Sequence, residues 1–137
     1  MVYSLDTALS ALVGSRVTVL PADIPRDAGQ APVLLTFSTG AVLTAVYWRI
    51  IENRMAGTSS FDHKQIYGLP AAINAIDVLR DAVADRELTS ASLDHSTGDL
   101  LFRFPDDLML QVFNFTGYEI WDMWFPDGTV EYSNYNK

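Results

Sequence analysis

The chain contains no cysteine, so disulfide bonds, thiolate metal ligands and cysteine nucleophiles are excluded. Basic residues are also scarce: nine lysines and arginines face seventeen aspartates and glutamates, and the net charge is −8. This charge disfavours nonspecific binding to nucleic-acid phosphates and favours a basic protein partner. Simple solubility explains the same charge equally well.

Long apolar runs are absent as well, and no stretch approaches the roughly 20 residues that a membrane-spanning helix needs. Residues 1–6 lack the basic start and apolar core of a signal peptide. The sequence therefore predicts a cytoplasmic protein that does not bind membranes. Its 137 residues, of which 49% are hydrophobic, are enough for one domain with its own core.

A similar hydrophobic pattern occurs in both halves of the chain. In the helical part, the matching residues are Leu9, Val13 and Arg16 with Leu79, Val83 and Arg86. In the strand part, they are Leu34, Phe37 and Leu43 with Leu101, Phe104 and Leu110. Repetition of this kind indicates two copies of a helix followed by a strand meander. We predict one α+β domain over 1–137, with half-repeats at about 4–51 and 70–135 and helices packed on an antiparallel sheet.

The first copy is expected to begin with a short helix that Ser4 caps and Gly14 ends. A short strand at 17–20 follows, and prolines predict a loop at 21–32. Turn residues around Gly40 then separate two antiparallel strands. These strands are expected at 33–37 and 42–51.

The second copy is expected to begin with a helix from Pro70 to Ala84, after a polar loop at 52–68. Turn-forming residues divide the remaining sequence into regular segments, which indicates an antiparallel sheet. Both helices are expected to cover one face of this sheet. The strands are expected at 88–93, 99–104, 108–115, 119–125 and 129–135.

The two histidines, His63 and His95, each follow an aspartate. Imidazole titrates near neutral pH and binds divalent metals, so the two Asp–His pairs are candidates for an acid–base or metal site. Adjacent side chains on a strand point to opposite faces, however, and the spacing does not predict that the pairs meet. Hydrolase and phosphate-loop motifs are also missing. We expect exposed histidines, with no catalytic residue, metal or cofactor. An enzyme or small-ligand binder that uses His63 and His95 is an alternative.

Aromatic and acidic residues are concentrated near the C-terminal end. Together they offer large rigid contact areas and charges that steer a basic partner, as protein-binding hot spots do. Alternation places Trp121 in the core with Met123 and Phe125, and Trp124 on the opposite face. The same pattern is typical of an ordinary sheet with core tryptophans and solubilising acids. The predicted partner-binding residues are Asp106, Asp107, Asp122, Trp124, Asp127 and Glu131.

Several short phrases between about residues 40 and 135 resemble a group of small bacterial proteins. The phrases are Tyr47-Trp48-Arg49-Ile50, Gly68-Leu69-Pro70, Thr97-Gly98-Asp99-Leu100, Leu110-Gln111-Val112-Phe113, Tyr118-Glu119-Ile120-Trp121 and Pro126-Asp127-Gly128. Proteins of this kind are often immunity proteins of contact-dependent or polymorphic toxin systems. The resemblance implies a non-enzymatic protein that binds and neutralises a cognate toxin domain, in many cases a basic nuclease. A structural assembly module is the remaining alternative.

Overall fold

A computed structural model describes residues 5–24, 30–114 and 120–133 of the chain. Within these ranges it has two helices and ten strands, which confirms the α+β class. None of these helices is long and apolar enough to cross a membrane. The helices are α1 (Leu5–Ser10) and α2 (Ala75–Val83). The strands are β1 (Val17–Pro21), β2 (Val33–Phe37), β3 (Val42–Ala45), β4 (Trp48–Glu52), β5 (Met55–Ser59), β6 (Ser90–Leu93), β7 (Leu100–Phe104), β8 (Leu108–Val112), β9 (Trp121–Trp124) and β10 (Val130–Tyr132).

The strands form two antiparallel sheets of five strands each in this part of the chain. Sheet 1 has the order β1-β2-β3-β9-β10, and sheet 2 has the order β5-β4-β8-β7-β6. In eight of the ten strands, all except β5 and β10, alternate residues are buried in the core between the sheets. Phe37 of sheet 1 contacts Phe102 of sheet 2, with ring centroids 5.6 Å apart. The two sheets are therefore the layers of a sandwich around one shared core.

The two halves of the chain have the same order of elements, but they are interleaved. β4 of the first half pairs with β8 of the second half, and β9 of the second half pairs with β3 of the first half. The helices are exchanged in the same way, since α1 contacts β6 and α2 contacts β1. The structure thus differs from the expectation that both helices cover one face of a single sheet, because the strands form two sheets and α2 contacts a strand of each, β1 and β5.

The expected strand at 42–51 is divided between the two sheets, and the chain passes from β3 to β4 at Val46 and Tyr47. Trp48, the first residue of β4, is fully buried, and its Nε1 donates to the carbonyl oxygen of Ala31 at 2.8 Å. Trp121, the first residue of β9, is buried in the same way and donates to the carbonyl oxygen of Gly98 at 2.8 Å. Each half therefore enters the opposite sheet beside a buried tryptophan.

The region between β4 and α2 also differs from the expected loop and helix. The polar segment contains β5 and a 3₁₀ turn (Ser60–Asp62). The helix begins after Asn74, whose side chain accepts a hydrogen bond from the N–H of Asp77 at 3.1 Å, rather than at Pro70. The predicted cap Ser4 lies outside the described residues, as do parts of the predicted loop at 21–32 and of the predicted strands at 108–115, 119–125 and 129–135.

Candidate functional site

Trp124 lies on the outer face of sheet 1, where its side chain is 52% exposed. Trp121 and Met123 of the same strand point into the core and are about 1% exposed or less. The alternation of a pleated strand explains this difference. The prediction that Trp121 is a core residue and Trp124 a surface residue is therefore confirmed.

Backbone pairing extends the surface around Trp124 across all five strands of sheet 1. Side chains of paired residues lie on the same face, so the register defines two rows of outward side chains. The first row is Thr18, Thr36, Val42, Trp124 and Val130. The second row is Leu20, Leu34, Thr44, Asp122 and Tyr132. We call these ten residues the Trp124 face.

The Trp124 face is mostly apolar, and its ten residues include a single charged side chain, Asp122. Its largest exposed side chains are Leu20 (48%), Trp124 (52%) and Tyr132 (37%). Apolar and aromatic side chains that share an exposed face are a feature of binding surfaces. The electrostatic character of the face is negative, since no lysine or arginine belongs to either row.

Asp122 and Trp124 are neighbours on this face, because alternate residues of a strand lie side by side. The Nε1 of Trp124 donates a hydrogen bond to the Oδ1 of Asp122 at 3.2 Å. Asp122 is half-buried, and Tyr132 lies directly across from it on β10. The carboxylate is thus held beside the indole ring.

Asp127 lies in the turn that follows β9, close to the Trp124 face along the chain. Its Oδ1 accepts a hydrogen bond from the N–H of Thr129 at 2.8 Å. Hydrogen bonding from Thr129 favours the charged form of the carboxyl and lowers the pKa of Asp127. Asp127 also lines a mostly apolar cavity of about 260 Å³ between α1 and this turn, together with Leu12, Phe125 and Pro126.

Glu131 does not belong to the Trp124 face. It pairs with the inward-pointing Met123, so its side chain leaves β10 on the core side of the sheet. Partial burial there raises the pKa of the Glu131 carboxyl above its ordinary value. The structure therefore separates Glu131 from Asp122 and Trp124, although all three were predicted as one binding patch.

Asp106 and Asp107 are also separate from the Trp124 face. They form the turn between β7 and β8 in sheet 2, and both have a positive φ angle. Asp106 lies 3.8 Å from the guanidinium of Arg86, and Asp107 lies 3.8 Å from that of Arg54. Of the predicted binding residues, the structure thus brings together Asp122 and Trp124, with Asp127 in the adjoining turn.

The outer face of sheet 2 has the same geometry with different chemistry. Arg49 is the second residue of β4, as Asp122 is of β9, and Ile51 takes the position of Trp124. The Nε of Arg49 donates to the Oε1 of Gln111 at 2.9 Å, and its guanidinium carbon lies 5.2 Å from the centre of the Phe113 ring. Two similar half-repeats therefore present an acidic aromatic face on one side and a basic face on the other.

The two histidines contact different helices. The Nδ1 of His63 accepts a hydrogen bond from the N–H of Ala75 at the start of α2 (3.1 Å). The Nε2 of His95 lies 2.8 Å from the Oδ2 of Asp6 in α1. His95 is exposed as expected, whereas His63 is half-buried because it contacts the helix. The described residues contain no cluster of three or more histidines and carboxylates that could hold a metal ion.

Asp62 and Asp94, the aspartates that precede the histidines, form hydrogen bonds within their own turns. Asp62 accepts a hydrogen bond from the Tyr67 hydroxyl at 2.9 Å, and this bond raises the pKa of Tyr67. Asp94 accepts hydrogen bonds from Ser96, and these lower the pKa of Asp94. Each aspartate stabilises its own turn, and a charge interaction with the neighbouring His95 also lowers the pKa of Asp94.

Comparison of the chain with protein-family models, curated proteins and solved structures found no match. The resemblance to immunity proteins therefore depends on the short sequence phrases alone. The outer surface of sheet 1 locates the candidate binding site. On that surface, Leu20, Val42 and Tyr132 were not predicted to join Trp124, since the alternation within each strand does not reveal which strands are neighbours.

Proposed function

We propose that this protein binds another protein through the Trp124 face, and that the partner is a basic toxin domain that it neutralises. The observation that carries this proposal is the half-exposed Trp124 within an apolar sheet face. Tryptophan and tyrosine are the residues that most often dominate binding energy at protein interfaces. They bury a large area and lose little conformational freedom on binding.

The charge of the chain supports a basic partner. The net charge is −8, and the charged side chain within the Trp124 face is Asp122. Negative potential accelerates the encounter with a basic partner and slows the encounter with an acidic one. The phrases that resemble immunity proteins support a toxin domain as that partner.

The test uses the product of the adjacent upstream gene as the candidate toxin partner. We expect Trp124→Ala to weaken binding by about 30-fold or more, as loss of a hot-spot residue of at least 2 kcal/mol does. Ile51→Ala is the matched control, because Ile51 occupies the same strand position in sheet 2. Isothermal titration and a growth-protection assay measure the two variants, and urea unfolding checks that both are folded.

Three results would contradict this proposal. The upstream gene product could fail to bind the unmodified protein, Trp124→Ala could bind as tightly as the unmodified protein, or Ile51→Ala could lose as much affinity as Trp124→Ala. The last result would place the interface on sheet 2 or show that both variants act through the stability of the sandwich.

A further inference from the structure

The arrangement of Asp122 and Trp124 defines the chemistry of the group that this face would recognise. Trp124 offers the exposed part of an indole ring, and Asp122 places a carboxylate beside it. The indole N–H of Trp124 donates a hydrogen bond to Oδ1 of Asp122, with an N–O distance of 3.2 Å. Among the described residues, Oδ2 accepts no hydrogen bond and forms no ion pair.

A guanidinium group matches both features at once. It is planar and charged, so it can stack on an indole ring while its N–H groups point to a neighbouring carboxylate. A lysine ammonium is a compact, strongly hydrated charge that cannot form the same flat contact. An aromatic ring beside a carboxylate on an exposed sheet therefore favours arginine over lysine.

The opposite face of this protein contains the same type of contact. Arg49, at the strand position that corresponds to Asp122, lies over the Phe113 ring and donates to an oxygen of Gln111. This sheet geometry thus accommodates a guanidinium between an aromatic ring and an oxygen acceptor. Arg49 is half-buried, and its contacts are with Gln111 and Phe113 of its own chain.

We infer that Asp122 and Trp124 form a receptor for an arginine side chain of the partner, an assignment that rests on the proposed function. The guanidinium stacks on the exposed indole and pairs with Asp122. Tyr132, opposite Asp122 on β10, borders this contact. The arginine is the partner's central anchor, and the apolar residues of the Trp124 face surround it.

The test uses N-acetyl-arginine amide as the probe and the indole N–H signal of Trp124 in ¹H–¹⁵N NMR spectra as the readout. We expect a saturable shift of this signal at millimolar concentrations of the probe. N-acetyl-lysine amide has the same charge and is expected to bind about tenfold more weakly, since it loses stacking and forked hydrogen bonding. N-acetyl-citrulline amide has nearly the same shape without the charge and is expected not to bind.

Two variants locate the site. Asp122→Asn keeps the side-chain shape but removes the charge, so we expect it to abolish the preference for arginine over citrulline. Asp85→Asn, which removes an exposed carboxylate outside the Trp124 face, is the matched control and is expected to bind the probe as the unmodified protein does. Equal shifts with arginine and lysine, an unmoved Trp124 signal, or an unchanged preference in Asp122→Asn would overturn the inference.

A failure of the arginine-receptor inference can be distinguished from a failure of the proposed function. If Trp124→Ala weakens partner binding but the arginine probe does not bind, the interface stands and arginine is not the recognised group. If the probe binds but Trp124→Ala leaves the affinity for the partner unchanged, the arginine receptor stands and the proposed interface is wrong.

Discussion

Trp121 and Trp124 are close in sequence but have different roles. The Trp121 ring fills the core, and its Nε1 bonds to the carbonyl oxygen of Gly98, whereas half of Trp124 is exposed. We expect Trp121→Ala to lower the free energy of unfolding by about 3 to 5 kcal/mol, because it leaves a large cavity. Trp124→Ala is expected to cost less than about 1 kcal/mol. Urea unfolding of both variants measures the difference, and equal losses would contradict the assigned roles.

Glu131 gives a test of the raised pKa. Burial disfavours its charged form in the folded protein, so at neutral pH the ionised carboxylate reduces stability. We expect Glu131→Gln to raise the melting temperature slightly at pH 7. The gain should shrink as the pH falls through the folded pKa of Glu131, and it should vanish below the unfolded pKa of about 4.3, where both states are protonated. A gain that is independent of pH would exclude this explanation.

At the scale of single elements, the start of α2 depends on two side chains. Asn74 accepts the N–H of Asp77, and the ring of His63 accepts the N–H of Ala75. Such bonds satisfy backbone donors that have no partner within the helix. We expect Asn74→Ala and His63→Ala each to destabilise the protein by about 1 kcal/mol, as measured by thermal or urea unfolding.

The matched control for His63 is His95→Ala. His95 contacts Asp6 at the surface, and exposed contacts of this kind contribute little to stability. The loss is therefore expected to be smaller than in His63→Ala. Equal losses in the two variants would show that the contact with Ala75 does not stabilise the helix.

At the scale of the whole molecule, the interleaved halves should depend on each other. Without the second half, β3 lacks β9 and β4 lacks β8, so each fragment exposes unpaired strand edges and core side chains. We expect fragments 1–69 and 70–137 to be unfolded or self-associated when separate. An equimolar mixture is expected to recover the near-ultraviolet circular dichroism of the intact chain. A monomeric, folded fragment would contradict the interdependence.

Many strands and turns could be predicted from local sequence, because they depend on the spacing of apolar and turn-forming residues over a few positions. Alternating apolar residues define the individual strands, and turn residues separate them. The division of the predicted strand at 42–51 could not be predicted, since apolar residues continue through Val46 and Tyr47 on both sides of the passage between sheets. β5 was missed because its sequence, Met-Ala-Gly-Thr-Ser, contains a glycine and no run of β-branched or aromatic residues, and an edge strand needs no apolar alternation.

The same limit applies to the candidate site. The alternation of side chains along one strand was enough to predict that Trp124 and Asp122 share a face. Tyr132 lies on the same face only because β10 pairs with β9 and places Tyr132 opposite Asp122. The same pairing places Glu131 opposite the inward-pointing Met123, on the other face. Strand neighbours depend on contacts between residues far apart in sequence, which no local pattern records.

By itself, the sequence determined the α+β class, the repetition of the two halves and the opposite roles of Trp121 and Trp124, because each follows from composition or from a period of a few residues. Only the tertiary structure decided that the halves are interleaved and that Asp106 and Asp107 lie away from the Trp124 face. It also decided that the two outer faces carry opposite charge character. These features arise from long-range pairing around a shared core, where the burial of Trp48 and Trp121 directs each half into the opposite sheet.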